Sequence, residues 1–287
     1  MKLGVITDGI GRDFDHALQV MDEFDLEYAE LQFIDGKEVG DFDKPMRARI
    51  KQSLARHNKK VSCLSRHVFA GLTHANKIGD ADHVKHMDGL RRVIETAHEL
   101  DARWVRILTP KKEMILWGKN GAEVWNVATG AWDDMLPLIA PAIELARKEN
   151  IQLVVETGNG TMVNSCFTAR KMIDDLDAKG TLFVLWDPAN NCWAHEKAYP
   201  DGYEEIQGGY LGHIHIKDVH VNTPHAILEV RPMGEGDLAD QFAPMAKRLR
   251  DDQYDGIISF ESVYHPGNGN FEDGFRLCIE KFKQLYG

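Results

Sequence analysis

Residues 211–218 read LGHIHIKD. His213, His215 and Lys217 alternate with Ile214 and Ile216, the period-two pattern of a strand whose two faces differ. Three titratable side chains on one face are an odd choice for a packed core. Two other short apolar runs close on a carboxylate, residues 151–156 (IQLVVE) and 182–187 (LFVLWD), and a third follows at 256–261 (GIISFE). In a parallel barrel the C-terminal strand ends share one mouth. One histidine-bearing strand and three carboxylate-ended strands therefore predict a metal held at one end of a barrel.

Working outward, strands are predicted at 2–6, 26–33, 60–64, 104–108, 152–156, 182–187, 211–217 and 256–261, with a small extension at 225–230. Helical spacing of apolar residues marks 13–24, 42–58, 80–100, 132–150, 165–178, a short segment near 203–209, 238–250 and 271–286. Pro137 and Pro141 predict a late start or a kink in the fourth helix. Eight strand–helix units fit a single (β/α)8 TIM barrel of the α/β class over residues 1–287, with long loops after strands 3, 4, 6, 7 and 8. The strands are continuous apolar runs, as expected when both faces are covered. A doubly wound sheet is the rival. It lacks its glycine fingerprint, since strand one is followed by TDGIGRD.

The 287 residues carry a formal charge of -11, which argues against a nucleic-acid partner. The N-terminal MKLGVITDG reaches Asp8 at once, unlike a signal peptide, and no 18-residue apolar run predicts a membrane span. Cys63, Cys166, Cys192 and Cys278 form no CxxC pair and read as free thiols of a reducing compartment. These readings predict a cytoplasmic protein with a small-molecule partner. Pairing into a homo-oligomer is an expectation by fold analogy alone.

Glu156, Asp187 and Glu261 close three strands, and His215 sits near the end of a fourth. Three carboxylates and one imidazole suit Mn²⁺, Mg²⁺, Co²⁺ or iron better than a closed structural zinc site, with Mn²⁺ expected first. The plain alternative is that Glu156 and Asp187 cap the turns that follow them. His213 shares the face of His215 about 7 Å away, one strand repeat. It is either a substrate contact or a core imidazole. Lys217, one step further out, is placed to meet a substrate oxygen or pair with Asp218 or Glu261. His195, in NNCWAHEKAYP, and His265, in ESVYHPGNGNF, lie in loops above the mouth and are candidate substrate contacts or solvated loop residues. Trp117, Trp125, Trp193 and Tyr199 are aromatic candidates for the apolar face of a sugar, or for core or subunit contacts.

Several segments together resemble the sugar isomerase and epimerase superfamily built on the xylose-isomerase-like barrel, which includes ketose 3-epimerases and inosose dehydratases. They are VVETGNG at 154–160, LWDPAN at 185–190, GHIHIKD at 212–218, RPMGEGD at 231–237, SFES at 259–262 and AELQF at 29–33. The resemblance implies Glu156, Asp187, His215 and Glu261 as ligands of one divalent ion, with Glu156 and Glu261 also as catalytic acid and base. His67 and Arg231 resemble positions that touch substrate. Asn190 stands where ketose 3-epimerases usually carry a histidine, a departure that bears on epimerase activity and on substrate contact at that position. Endonuclease members use a larger, histidine-rich ligand set that is not assignable here.

A divalent ion on a hydroxyl and an adjacent carbonyl makes the nearby C–H more acidic by stabilising an enediolate. Return of the proton at the next carbon is isomerisation. Return from the opposite face is epimerisation, and loss of a β-oxygen is elimination. The expected function is a metal-dependent isomerase or epimerase of a sugar, keto-sugar or polyol. A lyase acting on a keto-polyol or 3-keto-glycoside comes second. A phosphodiester hydrolase and a non-catalytic binding barrel are remote alternatives. PMGEGD lacks the Lys-Ser/Thr ending of a P-loop but resembles a glycine-rich phosphate loop. A neutral sugar is preferred, because no Arg/Lys cluster surrounds the expected mouth.

Overall fold

A computed structural model describes residues 1–112 and 130–287 of the chain. Eight strands carry the fold: β1 Lys2–Ile6, β2 Tyr28–Leu31, β3 Lys60–Val68, β4 Trp104–Ile107, β5 Gln152–Glu156, β6 Leu182–Trp186, β7 Leu211–Ile216 and β8 Ile257–Phe260. All eight pair in parallel with their sequence neighbours, and β1 pairs with β8, so the sheet closes on itself. Closure leaves the barrel sheet itself without a free edge.

Helices wrap the outside: α1 Phe14–Glu23, α2 Lys44–Arg56, α3 Ala81–Leu100, α4 Ala131–Glu149, α5 Cys166–Asp175, α6 Pro188–Trp193, α7 Phe242–Asp251 and α8 Phe271–Tyr286. Local sequence starts several of them. The carboxylates of Asp13 and Asp43 accept the His16 and Met46 N–H at 3.1 and 2.9 Å, and Pro45 sits in the first turn of α2. Ser165 and Thr168 form a reciprocal capping box on α5. The apolar stripe of α4, Met135, Leu138, Ile139, Ala142, Ile143 and Ala146, is buried against the sheet. Pro137 and Pro141 lie off that stripe, so the backbone acceptors they leave unpaired face outward. The helix accordingly begins at Ala131, ahead of both prolines, rather than late.

Two hairpins were only half legible. Residues 33–38 form one, with Phe33–Ile34 paired to Lys37–Glu38 across Asp35 and Gly36, both at positive φ. This Asp-Gly turn is a hairpin signature that lies just past the expected end of strand two at residue 33, and only Phe33 of the hairpin fell within that strand. In the other, Asp218–Asn222 pairs with Ile227–Arg231, which gives the small extension near residue 225 its partner. Strand β3 runs four residues beyond its expected end at Leu64. Trp117 and Trp125 lie outside the described residues.

Inside the barrel the lower layer is apolar: Cys63, Trp104, Val154 and Leu185, with Phe183 against them. Above it the interior turns polar. Glu30, Ser65, Arg106, Asp187, His215, Lys217 and Ser259 are all buried, each at the upper half of its strand or just beyond it, and the buried His213 sits midway along β7 beneath them. Buried ionisable groups are costly unless paired.

Candidate metal centre

Each strand end delivers one group. Glu156 is the last residue of β5 and Asp187 follows β6. His215 lies one residue from the end of β7, and Glu261 follows β8. One donor atom from each lies within 4.8 Å of all the others. Glu156 Oε1 is 3.6 Å and Glu261 Oε2 is 3.8 Å from Nδ1 of His215, too long for hydrogen bonds. That nitrogen is buried and has no hydrogen-bond partner.

The remaining atoms are held from behind. His215 Nε2 and His213 Nε2 lie 2.8 and 2.7 Å from the two oxygens of the buried Glu30, and Ser65 Oγ donates to Glu30 as well. A carboxylate accepts only, so both Nε2 atoms carry a hydrogen, and the unpartnered Nδ1 of His215, turned toward the carboxylates, is the nitrogen open to a proton or to a metal ion. Arg106 donates to Glu156 Oε2 at 2.8 Å and to the Ser65 carbonyl at 2.9 Å. Asn190 Nδ2 donates to Glu156 Oε1 at 3.3 Å. Asp187 caps α6. Its Oδ1 accepts the Ala189 and Asn190 N–H at 3.0 and 3.1 Å, while Oδ2 accepts from Lys217. Capping and ligation were alternatives in the sequence; Oδ1 does the capping, and Oδ2 is spared from it. Lys217 Nζ also lies 2.6 Å from Glu261 Oε2.

The charges do not balance. Glu30, Glu156, Asp187 and Glu261 face the permanent cations Arg106 and Lys217, which leaves two negative charges over. Protons fill the gap when nothing else does. Burial works against a charged His215, but the Glu30 and Glu156 carboxylates outweigh it and push the imidazole up to about 10. Burial raises Asp187 to about 6, against the pull of Lys217 and with the repulsion of Glu261 and Glu156. Burial also opposes ionisation of Glu156, yet the Arg106 guanidinium holds it well below the usual carboxylate range. A divalent ion supplies the two missing charges at the point where the orphaned nitrogen and three carboxylates converge, so the donor set fits one.

The family model described as xylose isomerase-like TIM barrel matches residues 10–281. The chain belongs to this family. No curated protein matches it in sequence. Solved structures do match it over nearly their whole length. The probable 3-DHS dehydratase AsbF from Bacillus anthracis has a TM-score of 0.71 at 15% identity, covering 97% of this chain and 99% of that one. D-psicose 3-epimerase, solved in the presence of D-fructose, has a TM-score of 0.70 at 15% identity and full coverage of both chains. The IOLI protein with a bound zinc atom has a TM-score of 0.74 at 12% identity, covering 100% and 98%. At these identities the likeness establishes the fold. Among the described residues, no helix is long and apolar enough to cross a membrane.

In this xylose isomerase-like barrel the other expected substrate contacts are placed unevenly. Asn190 and Lys217 reach the centre directly. His67 stands on β3, its Nδ1 2.7 Å from Glu38 of the Asp-Gly hairpin and its ring tilted against Phe33. His213 lies one layer below, bonded to Glu30 and 3.2 Å from Ser259 Oγ, as a core imidazole would be. His195 is exposed at positive φ beyond α6. Arg231 pairs with Glu229 on the outer hairpin. His265 accepts the N–H of Gly267 and Gly269 within its own loop. The glycine-rich loop at 231–237 is no phosphate cradle. The N–H of Gly234 and of Gly236 already donate to Asp218 Oδ2 at 2.9 Å.

Glu30 and Arg106 were missed as site residues. Glu30 stands inside β2 (YAEL) and is followed by Leu31, so the strand-closing rule that marks Glu156 passes over it; its signal is a lone acid within a buried strand. Arg106 is a lone charge inside the buried strand WVRI, a signal that went unused.

Proposed function

We propose that the chain is a divalent-metal-dependent enzyme that moves a proton next to a carbonyl of a sugar, keto-sugar or polyol, as an isomerase or epimerase. The observation that supports it most is the convergence of Glu156, Asp187, His215 and Glu261 within 4.8 Å, with the His215 Nδ1 unpartnered. Glu156 Oε1, Asp187 Oδ2, His215 Nδ1 and a Glu261 oxygen would hold the ion. Mn²⁺ is the first choice for an oxygen-rich set, and Mg²⁺ or Co²⁺ follow. When bound, the ion polarises the substrate carbonyl and stabilises the negative charge that develops on deprotonation.

The chain's own groups divide the remaining work. Arg106 keeps Glu156 ionised, so Glu156 suits an anion of constant charge. The Glu261 side chain is 21% exposed, the most open of the four, and faces the mouth where a substrate C–H would arrive. It is the candidate base. Lys217 and Asn190 are placed to hold substrate oxygens, and His67 of β3, paired with Glu38 of the Asp-Gly hairpin, is a further candidate contact. The buried walls exclude water from the transfer.

Elimination by a lyase is the second reading. The Lys217 ammonium beside Glu261 favours it, because a leaving oxygen needs a proton donor next to the base. Free ketoses and inosose-type keto-polyols, incubated in D₂O with Mn²⁺, separate the two. Deuterium incorporation at unchanged product mass otherwise supports the first, and a new ultraviolet chromophore the second. Turnover that survives verified metal removal contradicts both.

A further inference from the structure

We infer that Lys217 is the resident counter-ion of the metal centre, and that a divalent ion binds by exchange with its ammonium. The inference rests on the metal reading above and adds to it a residue that works against the ion.

The two buried cations approach the carboxylates from opposite sides. Arg106 binds Glu156 Oε2, the oxygen turned away from the centre, and leaves Oε1 facing it. It supports a ligand from behind. Lys217 does the reverse. Its Nζ sits between Asp187 Oδ2 and Glu261 Oε2. Asp187 Oδ1 is committed to the backbone of α6, so Oδ2 is the oxygen that Asp187 has left for an ion. Glu261 Oε2 is the oxygen that Glu261 turns toward His215 Nδ1, 3.8 Å away. The ammonium therefore occupies the two donor atoms on one side of the cluster.

Lys217 and Asp187 are almost fully buried. An ammonium and a divalent ion at one oxygen repel each other strongly where water cannot screen them. One must yield, and a lysine on four flexible methylenes can. The Trp193 ring, 5.5 Å from Nζ, offers the displaced ammonium a second partner above the mouth. The exchange keeps the ion-free site from carrying all its negative charge unpaired. It also makes the site bind its ion more weakly than the four donors alone would.

Calorimetric titration of Mn²⁺ into chelator-treated protein tests this without reference to turnover. Lys217→Met should bind one ion per chain about tenfold tighter or more than the wild type, the charge being lost at close range. Lys217→Arg should stay near the wild type. His215→Ala should bind much more weakly than either. Should Lys217→Met not fold without metal, Lys217→Gln supplies the same comparison. Equal or weaker binding by the uncharged variants overturns the exchange while leaving the metal site standing. Failure of both wild type and Lys217→Met to take up any ion overturns the metal reading itself.

Discussion

His215 Nε2 lies 2.8 Å from Glu30 Oε1, on the side of the ring opposite the Nδ1 that faces Glu156 and Glu261. This one contact keeps a hydrogen on Nε2 and fixes the direction of the imidazole. A carboxylate behind a ligating histidine raises its basicity and holds its geometry. Glu30→Gln should therefore lower divalent-ion affinity by about 10–100-fold with the four facing donors intact. Calorimetry or the visible spectrum of the Co²⁺ form measures it. Unchanged affinity would mean that Glu30 is only a core anion.

The same contact sets a pH dependence. In the metal-free protein the His215 imidazole titrates at about 10, above its ordinary 6.5. The folded state thus holds a proton that the unfolded chain gives up. The stabilisation is fully present below about 6.5 and is lost as pH rises through about 10. The melting temperature of chelator-treated protein should fall over that window. Ion binding displaces this proton, so apparent affinity should rise about tenfold per pH unit in the same range. Below about 6, protonation of Asp187 should steepen the slope. A flat affinity between neutral and mildly alkaline pH would contradict proton-linked binding.

Arg106 is the only permanent cation that touches Glu156 among the described residues. Removing one member of a buried ion pair costs about 3–5 kcal/mol, because the other charge stays buried. Arg106→Ala should lose that much stability in denaturant titrations of the chelator-treated protein. Added Mn²⁺ should restore part of it. A loss under about 1 kcal/mol would place the pair among ordinary surface bridges.

Asp218 organises the loop above β7 by accepting the N–H of Val219, Gly234, Gly236 and Leu238. Each buried N–H left unpaired costs about 1–3 kcal/mol. Asp218→Ala should destabilise the protein by about 3 kcal/mol on that scale. Because these donors are already engaged, inorganic phosphate should not raise the wild-type melting temperature. A phosphate-induced rise would reopen the phosphate reading of the loop.

The barrel was legible because parallel strands covered on both faces read as continuous apolar runs, and because acids at three such runs fell at matching ends. The bounds of β5 and α8 agree with those expected from the sequence to the residue. Asp187 was legible as a residue but not as two oxygens with different duties, since that division depends on α6 starting at Pro188. The hidden part of the site is the layer behind the four converging donors. Glu30 meets His213 and His215 across more than 180 residues, and Arg106 meets Glu156 across 50. Such pairs arise only when the barrel closes, and no local period announces them. His195 and His265, in loops, and Arg231, at the end of a hairpin strand, illustrate the opposite case, side chains directed by hairpin and turn geometry that a period of two or 3.6 does not encode.

The most direct measurement is anomalous diffraction at the manganese edge from crystals grown with Mn²⁺. The expected result is a single peak about 2.0–2.4 Å from Glu156 Oε1, Asp187 Oδ2, His215 Nδ1 and a Glu261 oxygen. A catalytically active crystal form with no anomalous density among these four side chains would contradict the proposed metal-dependent chemistry.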